Sequence, residues 1–143
     1  MTHKKSIFHV LLITFFILTN VFSIAASAGE IIWHDYEKGL ALGKSSNKKI
    51  MINFYADWCG YCKKMEKETF GAAKVADYLN ANFIAIRINS DKNMELARAY
   101  HVTGLPVTWF LTENGDKIGN RPGWMNAGTF LDLLEYVYTD SYK

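Results

Sequence analysis

The sequence predicts an α/β fold in which a mixed central β-sheet carries helices on both faces. Three observations predict it. Apolar runs of strand length alternate with stretches of helical periodicity, and an Asn114-Gly115 turn lies between two short β-type runs. The chain has 143 residues, half of them hydrophobic and 15% aromatic, enough for one packed core and little else.

The elements follow in order. Asp35 to about Lys44 sets Tyr36, Leu40 and Ala41 at helical spacing and ends near Gly43, so a first helix is expected there. Ser45-Ser46-Asn47-Lys48 reads as a polar turn. Lys49 to Tyr55 is a nearly continuous apolar run, the pattern of a strand buried on both faces. A helix through about Lys67 carries Cys59 and Cys62, and a second, roughly Ala72 to Asn80, leads into a strand over Phe83–Ile88. Met94, Leu96, Ala97 and Tyr100 make Asn93–Tyr100 helical, and Val107–Leu111 is a β-rich strand preceded by Pro106. Asn114-Gly115 is a hairpin turn of the kind that needs positive φ. A short return strand is expected around Lys117-Ile118, then a loop over Gly119–Gly123. Ala127 to Tyr138 closes the chain as an amphipathic helix with Phe130, Leu131, Leu134 and Val137 inward. Strands separated by helices imply a parallel portion, and the hairpin adds an antiparallel pair.

Residues 1–28 read as a signal peptide ahead of a domain of residues 29–143. His3-Lys4-Lys5 form a basic n-region, Ile7 to Ala26 is mostly apolar, and Ala26-Ser27-Ala28 supplies small residues for cleavage before Gly29. A retained membrane anchor is the alternative. The stretch is nearly long enough to span a bilayer, although Thr14, Thr19, Asn20 and Ser23 interrupt it. Either way the folded part is expected outside the cytoplasm, in the periplasm or otherwise exported. Lys4 and Lys5 account for the formal charge of +2, so the domain is neutral. Nothing in that balance points to nucleic acid as a partner.

Two cysteines three residues apart do not make the disulfide framework of a small secreted domain. A bridge between them would close a very short loop and contribute little through chain entropy. Chemistry explains the pair better. On a helix the two sulfurs share a face and are close enough to bridge. Cys59, at the helix start, meets unpaired backbone N–H groups and the positive end of the dipole, which favour its thiolate. Cysteines so placed have pKa values from about 3.5 to 7 rather than about 8.5. Cys59 is the expected nucleophile and Cys62 the resolving thiol. Half of a zinc site is an alternative, but the mature part offers only His34, His101 and unpatterned carboxylates to complete it. An inert pair on a binding module stays open on the CxxC alone.

Phe54-Tyr55-Ala56-Asp57-Trp58-Cys59-Gly60-Tyr61-Cys62-Lys63 resembles the active-site segment of the thioredoxin-like family. Gly104-Leu105-Pro106-Val107-Thr108 resembles that family's cis-proline loop, and Asn114-Gly115 with Gly123 resembles the end of its fold. Met65-Glu66-Lys67-Glu68-Thr69-Phe70, then Val75, and the opening helix at Trp33 are similar to one branch. That branch holds the C-terminal periplasmic domain of DsbD-type thiol:disulfide interchange proteins and small exported thioredoxin-like proteins. The resemblance covers nearly all of residues 31–139 and implies a thioredoxin fold.

It implies further that Leu105–Pro106 is cis, sits against the sulfurs and presents the Leu105 backbone to an extended substrate, with Trp58 and the exposed Tyr61 beside it. Where the family usually has a buried aspartate, six residues before the first cysteine, this chain has Asn53, which cannot take up a proton. Glu66 matches a second acid of the DsbD-type branch and lies at i+4 from Cys62, so it is the expected proton acceptor; its other reading is a solvated helix glutamate. Arg87 falls near where thioredoxins carry a lysine.

The expected function is dithiol–disulfide exchange with protein substrates, without metal or organic cofactor. The branch, and the lack of a histidine between the cysteines, favour a reductase recharged by a membrane thiol transporter. A disulfide oxidase or isomerase, or a non-catalytic binding module, is the alternative. A monomer is expected.

Overall fold

The computed structural model describes residues 29–143, so the expected signal peptide lies outside the described residues. Strands β1 (Trp33–His34), β2 (Lys49–Tyr55), β3 (Phe83–Asn89), β4 (Val107–Leu111) and β5 (Lys117–Pro122) form one sheet in the order β1-β3-β2-β4-β5. β3 runs parallel to both β1 and β2, while β4 is antiparallel to β2 and β5 to β4. Helices α1 (Tyr36–Ser46), α2 (Gly60–Met65), α3 (Ala73–Asn82), α4 (Met94–Ala99) and α5 (Ala127–Tyr138) cover both faces.

Alternation along the strands sorts the core into two layers. On one face Met51, Ala85 and Phe110 lie under Met65, Phe70, Val75, Leu79, Phe130 and Leu134 from α2, α3, α5 and the turn after α2. On the other, Ile50, Ile52, Phe54, Ile86 and Ile88 lie under Tyr36, Leu40, Leu96 and Tyr100, which α1, α4 and the end of α4 supply. β2 is central and fully covered, so the chain leaving its C-terminal end can set a side chain on a rigid platform.

Several details differ from the sequence expectation. The inward ridge of α1 is Gly39 and Gly43, while Ala41 is exposed. A Cβ at Gly39 would collide with Ile86, and one at Gly43 would come within 2.6 Å of Ile50, so glycine lets this helix lie close on the sheet. Trp33 belongs to a two-residue strand rather than a helix. The helix of the cysteines gives way at Glu66–Phe70 to a π-helical turn, closed by Gly71 N–H donating to the Glu66 carbonyl at 2.8 Å. A Cβ on Gly71 would approach the Lys67 carbonyl to 2.6 Å, which suits glycine to that end. Finally, β5 extends through the expected Gly119–Gly123 loop to Pro122. As an edge strand it pairs on one side only, so Pro122 interrupts no central ladder. In the hairpin Gly115 has φ 92° but Asn114 keeps negative φ, because Gly115 N–H donates to the Thr112 carbonyl at 3.0 Å and centres the turn on Glu113 and Asn114.

Candidate active site

β2 delivers the chain at Tyr55 to a short turn, Ala56 to Cys59, closed by Cys59 N–H donating to the Ala56 carbonyl at 3.1 Å. Cys59 is the N-cap of α2, with extended backbone. Its sulfur accepts a hydrogen bond from Cys62 N–H at 3.1 Å, one of the donors a helix start leaves unpaired. The two cysteines form a disulfide across Cα atoms 5.2 Å apart. Both are 4% exposed, and Ala56, Tyr55 and Leu105 pack around them. A sulfur at this cap receives N–H groups and the positive helix end, the arrangement that stabilises a thiolate once the bond is opened.

Around this pair the residues singled out in the sequence fall at different places. Leu105–Pro106 is cis, with Leu105 packed on the cysteine cluster and Pro106 buried. Trp58 and Tyr61 are the exposed aromatics of the site, at 71% and 65%. Trp58 is anchored at one end only: its indole N–H donates to Asp91 Oδ2 at 2.9 Å. Asp91 follows β3 in a turn organised by Asn89, whose side chain accepts from Asp91 N–H at 3.0 Å. The sequence held no signal for that contact, because it joins segments 33 residues apart.

Glu66 is brought to a different partner. Its carboxylate accepts two hydrogen bonds from Arg87, at 2.9 and 2.8 Å. The Arg87 guanidinium holds the Glu66 carboxyl below its ordinary value, and the same bonds push Arg87 further up. Arg87 also stacks 4.3 Å from the Tyr55 ring and 5.4 Å from that of Trp33. A carboxylate so held is a weaker base than a free glutamate, which argues against the acceptor role expected for Glu66.

Asn53 is buried at 2% exposure, directly opposite Thr108 on β4 and level with Arg87 on β3. A third loop completes the site: Gly123 N–H donates to the Pro106 carbonyl at 2.7 Å, and Lys64 of α2 lies 3.9 Å over the Trp124 ring. Thr69 Oγ1 donates to the Met125 carbonyl. The Trp58 and Cys59 turn, the cis-proline loop and the Gly123–Met125 loop are thus tied together around one disulfide.

Comparison with known proteins agrees with this geometry. The sequence model of the family described as Thioredoxin-like domain matches residues 36–138. The thiol:disulfide interchange protein DsbD of Vibrio vulnificus (strain CMCP6) is 35% identical over 109 residues, 72% of this chain and 18% of that protein. That of Vibrio cholerae is 37% identical over 106 residues, 70% of this chain and again 18% of the relative. The chain therefore spans about a fifth of the length of these relatives. Among solved structures, a thioredoxin from Thermus thermophilus superposes with a TM-score of 0.69 at 28% identity, covering 76% of this chain and 87% of that one. The DsbH oxidoreductase superposes at 0.70, covering 84% and 93%, and at 19% identity supports the fold alone. With this sheet order, a CxxC disulfide at a helix start, a cis-proline opposite it and a family match over most of its length, the chain belongs to the thioredoxin-like domain family.

Proposed function

We propose that this chain is a thiol–disulfide oxidoreductase that reduces disulfides of protein substrates outside the cytoplasm. The observation that carries the reading is the Cys59–Cys62 disulfide at the N-cap of α2, against Leu105 of the cis-proline loop.

In the reduced protein, the Cys59 thiolate attacks one sulfur of the substrate disulfide. A Cys59–substrate bond forms, and the electron pair of the broken bond leaves on the other substrate sulfur, which takes a proton. Cys62 then loses its proton and attacks Cys59. The protein disulfide closes, and the second substrate sulfur leaves and is protonated. One substrate disulfide becomes two thiols as the protein dithiol becomes a disulfide. Trp58, Tyr61 and the Leu105–Pro106 backbone form the rim against which an extended substrate segment lies. Glu66 fixes Arg87 in this reading, and it does not accept the Cys62 proton.

The reducing direction rests on the DsbD relatives and on the lack of a histidine between the cysteines. A membrane thiol transporter is the proposed electron source. Export is supported by the basic, apolar and small-residue pattern of residues 1–28. Among the described residues no helix is long and apolar enough to cross a membrane.

The test uses two variants and a disulfide-bonded test protein. Cys62→Ser should accumulate a mixed disulfide through Cys59, and Cys59→Ser should form none. If Cys62→Ser traps nothing while Cys59→Ser still binds unfolded protein, the chain is a binding module and the catalytic reading fails.

A further inference from the structure

We infer that Asn53, Thr108 and Arg87 hold internal water in a polar row beneath Cys62, and that this water carries the Cys62 proton. The inference about the proton rests on the exchange reaction proposed above, whereas the water site does not.

The row follows from register. Met51, Ala85 and Phe110 point into the core layer under α2, α3 and α5, so the residues two further along β2 and β3, and two earlier on antiparallel β4, point the same way. Those residues are Asn53, Arg87 and Thr108, and they stand side by side across three strands. Asn53 Nδ2, Thr108 Oγ1 and Arg87 Nε are all buried without a hydrogen-bond partner in the protein. Asn53 and Thr108 are 2% and 0% exposed. Three neighbouring orphaned groups are unusual, since a buried polar group without a partner costs roughly 1–3 kcal/mol. Directly opposed residues on antiparallel strands have Cβ atoms roughly 5 Å apart, within the span of one bridging water, which typically takes about three polar partners.

The helix places Cys62 over this row. Met65 shares the core layer of Met51 and Ala85, and Glu66 reaches Arg87. Cys62 lies one turn back from Met65, a rise of about 4.5 Å, and Asn53 lies two strand residues on from Met51, about 6.6 Å. The two steps run the same way, because α2 doubles back along β2. The row ends at Arg87 and Glu66, which line an open pocket of about 170 Å³ together with Trp33, Phe70 and Gly71. Solvent therefore reaches the Arg87 end of the row.

During exchange, Cys62 hands its proton to the row water as that water passes one toward the pocket. On reduction the same transfer runs backward to the leaving Cys62 thiolate. No side chain of the row changes charge. Thr108 acts through the water and is a positioning residue.

Two measurements decide the matter. In ¹⁵N-labelled protein, cross-relaxation between water and the Asn53 side-chain amide should report a long-lived contact in wild type and in Thr108→Ser. It should be lost in Thr108→Val. An absent contact in wild type, or an unchanged one in Thr108→Val, overturns the water site whether or not the protein exchanges disulfides. Resolution of a preformed mixed disulfide should slow about tenfold in Thr108→Val, less than the roughly 100-fold of a positioned acid–base group, because Asn53 remains. Thr108→Ser should restore the rate. If Thr108→Val loses the water contact and keeps the wild-type rate, the relay is wrong. If wild type resolves no mixed disulfide at all, the exchange reading fails and the relay with it, while the water contact still decides the site.

Discussion

Arg87 shows how one residue changes what its neighbours can do. Its guanidinium engages both oxygens of Glu66 and lies over Tyr55, which packs on the cysteine cluster. The Glu66 side chain is more than half exposed, so the pair contributes only about 1 kcal/mol, near the top of the range for surface ion pairs. Because the folded carboxyl titrates below its ordinary value of 4.5, that contribution is complete above pH 4.5 and is lost as the pH falls through the lower folded value. Glu66→Gln should therefore melt about 4 °C below wild type at neutral pH, with the gap closing in acid. A gap of equal size in acid would mean that the ion pair is not its cause. Cys59, Cys62, Trp58 and Pro106 were legible in the sequence because each belongs to a contiguous motif. The fate of Glu66 was not, since Arg87 lies 21 residues away and only the approach of the turn after α2 to β3 joins them. Asn53 was legible as a departure from the family, but its alignment with Thr108 appears only with the register of β2 on β4.

Elements were legible to the degree that their pattern is periodic. The apolar runs of β2, β3 and β4 and the stripe of α5 came through at nearly their full lengths, because burial on one or both faces dictates those residues. In α1 the periodicity found the helix and, through Tyr36 and Leu40, its core-facing side, but it counted exposed Ala41 and missed the closest ridge, Gly39 and Gly43, since glycines carry no hydrophobic signal. Gly39→Ala tests that face. The new methyl gains up to about 1 kcal/mol of helix propensity but must displace Ile86, an overpacking cost of about 1–3 kcal/mol. The urea midpoint should fall with an unchanged m-value. An equal or higher midpoint would mean that the helix lifts off the sheet without cost. β1 has two residues and follows Ile31 and Ile32 into the sheet edge, too short for any periodicity. The π-helical turn had no signal beyond Gly71.

At the scale of the whole molecule, the order of strands and helices was enough to specify two covered faces, and hence a rigid central strand behind the cysteines. Phe130 on α5 is completely buried and stacks edge-on with Phe70, 5.6 Å between centroids, so it fastens α5 to the turn that follows α2. Phe130→Ala should cost about 3–5 kcal/mol in chemical denaturation. A loss below about 1 kcal/mol would show that this layer collapses to fill the space. The cysteines lie at the opposite end of α2 from this contact, so what remains folded should keep its exchange rate.

The central claim is that Cys59 and Cys62 are a working redox pair rather than a staple. Its most direct measurement is the reduction potential of their disulfide, obtained by equilibrating the protein in graded thiol buffers and following tryptophan fluorescence. A reversible two-electron transition near −270 mV, about where thioredoxin lies, is the predicted result. A disulfide that resists reduction to below about −300 mV, as structural bridges in secreted proteins do, would contradict the account.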